Sequence, residues 1–274
     1  MMMTGRVLIV AGSDSGGGAG IQADIKTVTA LAGYAMTAIT ALTAQDTHGV
    51  HAVIPVPTDF IRAQMRLALA DIGADCVKTG MLGDTATIDA VCDVLERQSR
   101  RLALVVDPVM TAKGGGSLLE ASAMAHLKRR LLPLALLLTP NLPEAEILAG
   151  IAITDEASMH HAAETLLTLG VPAVLLKGGH LPGDQVVDLL ATENAMHVFR
   201  SARINTRHTH GTGCTLASAV ATGLAQGMTL DAAVQRARAY VQAAIASAPG
   251  FGGGHGPLNH AVTIEPARLQ ALLS

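Results

Sequence analysis

Residues 7–31 read VLIVAGSDSGGGAGIQADIKTVTAL, and how they are organised decides the fold. Val7 to Ala11 is a short, β-branched apolar run, the mark of a strand buried on both faces, and Gly12 stops it. Ala19 to Leu31 follows as a helix. Between them lies Gly12-Ser-Asp-Ser-Gly-Gly-Gly-Ala-Gly20. Its glycines permit either a close approach of backbone to a ligand or simply a tight strand-to-helix turn. The string fits no register of the dinucleotide fingerprint GxGxxG, because Gly16 and Gly18 would require glycine where Ile21 stands.

The same strand-then-helix unit recurs outward along the chain. Strands are expected at Ala35–Ala44, Cys76–Lys78, Leu102–Val106, Leu134–Leu138 and Ala173–Leu176. Helices are expected at Thr58–Asp71, Thr85–Gln98, Ser117–Arg130 and Asp155–Leu169. Such alternation predicts a parallel sheet with helices on both faces. One stretch departs from it. Gln185–Leu190 and Met196–Arg200 are strand-like runs joined by ATEN, the pattern of an antiparallel hairpin at a sheet edge. Two Ala-rich helices follow, Cys214–Gln226 and Asp231–Ala246. No linker, charge run or repeat divides the chain, so residues 1–274 read as one α/β domain.

Composition excludes several functions. Aromatic residues are 2% of the 274 and Trp is absent, which leaves no stacking platform for nucleic-acid bases. The net charge of −3 gives no basic footprint. Leu131–Leu138 is interrupted by Pro133 and is far shorter than the roughly 20 residues of a membrane span. The start MMMTGRVLIVAGSD has too short an apolar run for a signal peptide, and the expected compartment is the cytoplasm. Cys76, Cys92 and Cys214 are odd in number, and no CxxC or HExxH occurs. None of the five lysines follows a glycine, so the Walker A motif is absent.

In open parallel sheets, ligands bind beyond the carboxyl ends of the strands. The informative strings stand there. His210-Gly-Thr-Gly-Cys-Thr215 precedes an Ala-rich helix, so free N–H groups and the helix dipole make an anion site. Cys214 lies in that first turn, where the same field is expected to lower a thiol pKa, suiting a base or an orienting group. A small Cys at a tight turn is the plainer reading. Thr139-Pro-Asn-Leu-Pro-Glu-Ala145 places Asn141 and Glu144 together, either for a hydrated Mg²⁺ or as a helix cap. Asp107 ends a strand as a metal or hydroxyl partner, or as a solvated end. Lys177, before two glycines, suits phosphate neutralisation, or is an ordinary surface lysine. Gln45 offers a donor and an acceptor side by side, the match for an aminopyrimidine edge, or is an ordinary loop residue. His160 and His161 read as solvated. Met65, Met124 and Met159 read as fillers rather than as a cofactor box.

Seven strings together carry a resemblance: AGSDSGGGAGIQADIKT (11–27), ITALTAQDTHGV (39–50), VKTGML (77–82), VVDPVM (105–110), TPNLPEAE (139–146), KGGHL (177–181) and HGTGCTLASA (210–219). From about residue 7 to 260 the chain resembles the hydroxymethylpyrimidine/phosphomethylpyrimidine kinases of thiamine biosynthesis, in the ribokinase-like superfamily. The resemblance implies a three-layer α/β/α domain with a mostly parallel sheet and an antiparallel edge hairpin. It implies ATP-dependent phosphorylation of 4-amino-5-hydroxymethyl-2-methylpyrimidine and then of its monophosphate, with Mg²⁺, in a homo-oligomer such as a dimer. By position it implies Gly211, Thr212, Gly213 and Cys214 as the anion hole, with Cys214 where related sugar kinases carry an Asp base. Gly12, Asp24, Gln45 and Met81 fall on the pyrimidine pocket. Asn141 and Glu144 match the Mg²⁺ motif, and Asp107 and Lys177 fall near the ATP phosphates. Asp46 departs from the Asn frequent in the family. Pyridoxal kinase, from the same superfamily, is the nearest alternative. An inactive vitamin-binding regulator would have lost HGTGC or NLPE, and a nicotinamide oxidoreductase fails on the fingerprint.

Overall fold

The structure, a computed structural model, describes residues 4–111, 118–120 and 122–265. Alternation within single strands organises it. In β1 (Arg6–Asp14), Leu8 and Val10 face one core while Val7 and Ile9 face the other. The same one-residue switch divides Leu104 and Val106 from Val105 in β5 (Ala103–Val106). It also divides Val174 and Leu176 from Leu175 in β7 (Ala173–Lys177). Successive side chains of a strand point to opposite faces, so a continuous apolar run requires cover on both.

The cover comes from two helical layers. One core takes α2 (Thr58–Asp71), α3 (Thr85–Glu96), α5 (Leu142–Ala149) and α6 (Glu156–Leu167). The other takes α1 (Gly20–Ala30), α7 (Thr212–Ala225) and α8 (Leu230–Ala246). With so few aromatics, the second core is filled largely by alanine on α7 and α8, whose small side chains let the two helices pack closely. Met65 and Met159 are fully buried core residues, and Met124 packs against the core.

Among the described residues the sheet has nine strands, in the order β3 (Val50–Pro55), β2, β1, β4, β5, β6, β7, β8, β9. The run β2 (Tyr34–Gln45), β1, β4 (Cys76–Thr79), β5, β6 (Leu137–Leu138) and β7 is parallel. The hairpin β8 (Gln185–Thr192) and β9 (Met196–Ala202) forms the expected antiparallel edge. The chain leaves β1 on one side and returns on the other at β4, which puts a topological switch at β1 and a crevice above it.

Four features differ from the sequence expectation. β1 does not stop at Gly12 but runs on to Asp14, with a register irregularity between Ala11 and Ser13; Gly12 marks a bulge rather than an end. A further strand, β3 (Val50–Pro55), pairs antiparallel with β2 and makes a second antiparallel edge. The Ser117–Arg130 helix begins only at α4 (Ala123–His126) and continues as a π-type turn over Leu127–Leu131. Ser117 and Ala121 lie outside the described residues, while the N–H groups of Leu118 and Leu119 both donate to the Met110 carbonyl. Finally, Leu132–Leu134 is a 3₁₀ turn that leaves only Leu137–Leu138 as strand; Pro133 fits the start of that turn, where its missing N–H costs nothing.

Candidate active site

Five of the six parallel strands deliver a polar group to the same end of the sheet. Asp14 ends β1, Gln45 ends β2, Asp107 follows β5, Asn141 follows β6 and Lys177 ends β7. With the start of α7 they line one cleft of about 490 Å³, which also takes in Gly12, Met81 and Glu144. A second cleft of about 450 Å³ adjoins it, between β8–β9 and α7–α8. Lys177, Gly179, His180, Thr209 and Thr212 line both.

The α7 start is built by close approach. Gly211 caps the helix at φ +82, and a Cβ there would run into the Gly18 carbonyl. No side chain caps this N-terminus, so its first-turn N–H groups and dipole are presented to the cleft. Gly213 stands opposite the lysine: a Cβ on it would lie 3.1 Å from Lys177 Nζ and 3.8–3.9 Å from the Asp107 carboxylate oxygens. Lys177 Nζ donates to Asp107 Oδ1 at 3.1 Å. Burial works against the ammonium charge, but Asp107 and Glu144 hold the lysine above its ordinary pKa.

Asn141 and Glu144 form a capping box on α5. Asn141 Oδ1 accepts from the Glu144 N–H at 2.9 Å, and Glu144 Oε2 accepts from the Asn141 N–H at 2.8 Å. The cap reading is therefore realised, and the pair lines the cleft as well. Burial pushes the Glu144 carboxyl up to about 7, against the pull of Lys177 and with the push of Asp107.

Cys214 corrects the sequence expectation. Its thiol is not lowered by the helix start: burial pushes it up to about 12, and the nearby Lys78 only partly opposes this. The nearby Gly20 N–H also opposes the rise. The side chain still faces the cleft, as a thiol rather than a thiolate.

Asp24 does not line the cleft. It is fully buried below the floor, where Lys78 Nζ donates to both its oxygens at 3.0 and 2.9 Å and Ser218 Oγ donates at 2.7 Å. Lys78, which does line the cleft, went unread in the sequence. Its signal is local: a lysine within the fully buried strand Cys76–Thr79 needs a buried acid partner.

A second polar knot joins the two lips of the cleft. His210 Nε2 lies 2.9 Å from Asp14 Oδ2 and 3.3 Å from Gln45 Nε2. Asp14 also accepts from the N–H groups of Gly16, Gly18 and Ala19. Burial raises its carboxyl, but His210 and these amides hold it below its usual value. The ordinary sign that Asp14 matters is its place at the end of a buried strand; the His210 contact spans 196 residues and leaves no local trace.

This mostly parallel sheet, whose strand ends set a lysine–aspartate pair against an uncapped glycine-rich helix start, has the ribokinase-like fold of its structural neighbours. Residues 14–259 match the family model described as phosphomethylpyrimidine kinase. The chain is 48% identical to the hydroxymethylpyrimidine/phosphomethylpyrimidine kinase of Streptomyces coelicolor, covering 93% of each chain. It is 54% identical, over 96% of its own length, to the thiamine biosynthesis bifunctional protein ThiED of Geobacter sulfurreducens, of which it spans 54%. Among solved structures, the ADP complex of Bacillus subtilis pyridoxal kinase is similar at a TM-score of 0.87 and 36% identity, covering 97% of this chain and 99% of that one. The chain belongs to the phosphomethylpyrimidine kinase family. It is a kinase, and ATP is its co-substrate.

Proposed function

We propose that the larger cleft binds 4-amino-5-hydroxymethyl-2-methylpyrimidine or its monophosphate, that the adjoining cleft binds ATP, and that the phosphoryl group crosses between them over the start of α7. The observation that carries this reading is the set of residues lining both clefts, with Lys177, Asp107 and Gly213 meeting at their junction. In the first reaction the substrate hydroxyl oxygen bonds to the γ-phosphorus, the bond to ADP breaks and the hydroxyl proton departs. In the second, a phosphate oxygen of the monophosphate is the nucleophile. The transition state is loose, so the protein's task is positioning and neutralisation of the equatorial oxygens. Lys177 and the N–H groups of Gly211, Thr212, Gly213 and Cys214 supply that charge. Cys214, a thiol in the free enzyme, orients the hydroxyl but has no free site for a proton, so the hydroxyl proton passes to an oxygen of the transferred phosphoryl group as the bond to phosphorus forms. Gln45, Met81 and the Gly12 backbone shape the pyrimidine side.

Mg²⁺ fits the donor set. Two carboxylates, Asp107 and Glu144, stand near one lysine, and Glu144 is desolvated enough to gain from a cation. Among the described residues no group of three or more His, Cys, Asp or Glu is arranged to hold a metal ion, which suits an ion that keeps its waters and leans on substrate phosphates. Glu144 and Asn141, with Asp107 close by, would hold the ion, and Mg²⁺ bound there would neutralise charge on the phosphate oxygens.

We read residues 1–274 as a single kinase domain, supported by one continuous sheet. A cytoplasmic location fits the use of ATP, and among the described residues no helix is long and apolar enough to cross a membrane. Exposed Leu42, Ile54, Phe60 and Leu67 near the β3 edge support a homo-oligomer, a dimer in the simplest case. ATP consumption with the pyrimidine alcohol, its monophosphate and pyridoxal as acceptors tests the assignment. The expected outcome is turnover with both pyrimidines and a much lower kcat/KM for pyridoxal; the reverse order would assign the cleft to pyridoxal.

A further inference from the structure

The segment GFGGGHGP (250–257) lines neither cleft, yet it touches both lips of the larger one. On the pyrimidine side it holds the turn that follows Gln45. The His255 N–H donates to the Thr47 carbonyl at 2.7 Å, and the Gly254 N–H donates to Thr47 Oγ1 at 3.1 Å. On the phosphoryl side the His210 N–H donates to the Gly256 carbonyl at 3.1 Å, and Arg207 Nη1 donates to the Gly253 carbonyl at 3.1 Å. His210 directly precedes the helix-capping Gly211. The far end of the segment is fixed. The Tyr240 hydroxyl donates to the His260 carbonyl at 2.8 Å, and His260 Nε2 meets Thr215 Oγ1 at 2.9 Å inside α7.

Its glycines are required by space. A Cβ on Gly254 would strike the Thr47 carbonyl, and one on Gly256 would strike His208 Nδ1 and lie 2.6 Å from the Phe251 carbonyl oxygen. The turn it grips is itself rigid, since Asp46 Oδ1 accepts from the N–H groups of His48 and Gly49. The segment thus grips a turn that begins one residue after Gln45.

We propose that Gly252–Pro257 is a positioning strap that sets the separation between the Gln45 loop and the α7 start, with Gly254 and Thr47 governing pyrimidine binding and Gly256 governing turnover. This rests on the assignment of Gln45 to the pyrimidine side. Small displacements of positioning groups carry large rate and binding effects. Steady-state kinetics and melting temperatures of the full chain test the proposal in Gly254→Ala, Thr47→Ala, Gly256→Ala and Gln45→Glu. Gly254→Ala is expected to raise the pyrimidine KM about tenfold or more while ATP KM stays within about twofold. Thr47→Ala, which crowds nothing, raises it in the same direction by about threefold, the scale of one lost hydrogen bond. Gly256→Ala lowers kcat with less effect on pyrimidine KM. If Gln45→Glu raises pyrimidine KM and Thr47→Ala does not, the strap is overturned and the pocket stands. If neither moves it, both fall. Equal losses in every parameter, following the melting temperature, make the segment merely structural and overturn the proposal.

Discussion

Two lysine–aspartate pairs, one joining β4 to α1 and the other at the ends of β5 and β7, differ in almost everything except chemistry. Lys78 and Asp24 meet at 2.9 Å with both side chains fully buried. Lys177 and Asp107 meet at 3.1 Å with the lysine 13% exposed, opening on the junction of two clefts. The first pair is closed by Ser218, which donates to Asp24 from within α7. The second is left open toward Glu144 and Gly213. A buried charge pair is costly to break, because the survivor stays charged without water. A pair at a cleft mouth has a ligand-sized space in front of it, so its lysine is available to a phosphate. The sealed pair props up the floor on which the open pair works.

The largest effect should come from breaking the sealed pair. Asp24→Ala leaves Lys78 buried and unmatched, and denaturant unfolding should show a loss of about 3–5 kcal/mol. If stability falls by less than about 1 kcal/mol, the two pairs are not different in kind. Next, Lys177→Gln should lower kcat by roughly 10²–10³ with a melting temperature close to that of the parent. A collapse of stability here would make the open pair structural too.

A pH measurement sharpens the contrast from the Glu144 side. Folded Glu144 keeps its proton up to about 7, whereas the unfolded chain releases it near 4.5. The folded state thus binds more protons between these values, and stability falls as pH rises through that window, by up to about 3 kcal/mol. Glu144→Gln should remove this slope, and urea titrations from pH 4 to 8 would reveal it. An unchanged slope would place its origin elsewhere. The smallest effect belongs to Gly213→Ala. The added Cβ meets only the flexible end of Lys177, so kcat should drop by roughly tenfold or less with no change in stability. A drop as deep as that of Lys177→Gln would mean that the lysine cannot yield at all.

Much of this was legible in the chain itself, for a physical reason. The parallel strands are apolar on both faces, so they stand out as runs, and their polar ends stand out against them. Lys177, Asp107, Asn141, Glu144 and the HGTGC turn stand out in that way, and the structure brings them to one cleft. β3 escaped because five of its six residues are exposed, and an edge strand with no buried face carries no alternation. Asp24 was assigned to the pocket by resemblance. Its true partner is 54 residues away, and only the fold brings them together. Cys214 failed for a different reason: a helix start and burial act on a thiol in opposite directions, and sequence reveals the first but not the second. The glycines after Phe251 carry no role that the sequence reveals, since their contacts with Thr47 and His210 are nonlocal.

Burial has a consequence for Cys214 that reaches beyond phosphoryl transfer. Cys76, Cys92 and Cys214 are all raised to about 12. Oxidants and alkylating agents attack the thiolate, and at neutral pH these sulfurs hold almost none. Under the role proposed for Cys214, a protein that relies on a cysteine is thereby spared the usual hazard of having one. Peroxide should leave it active, and iodoacetamide should mark Cys214 slowly, at a rate that rises when the carboxylates around it are neutralised.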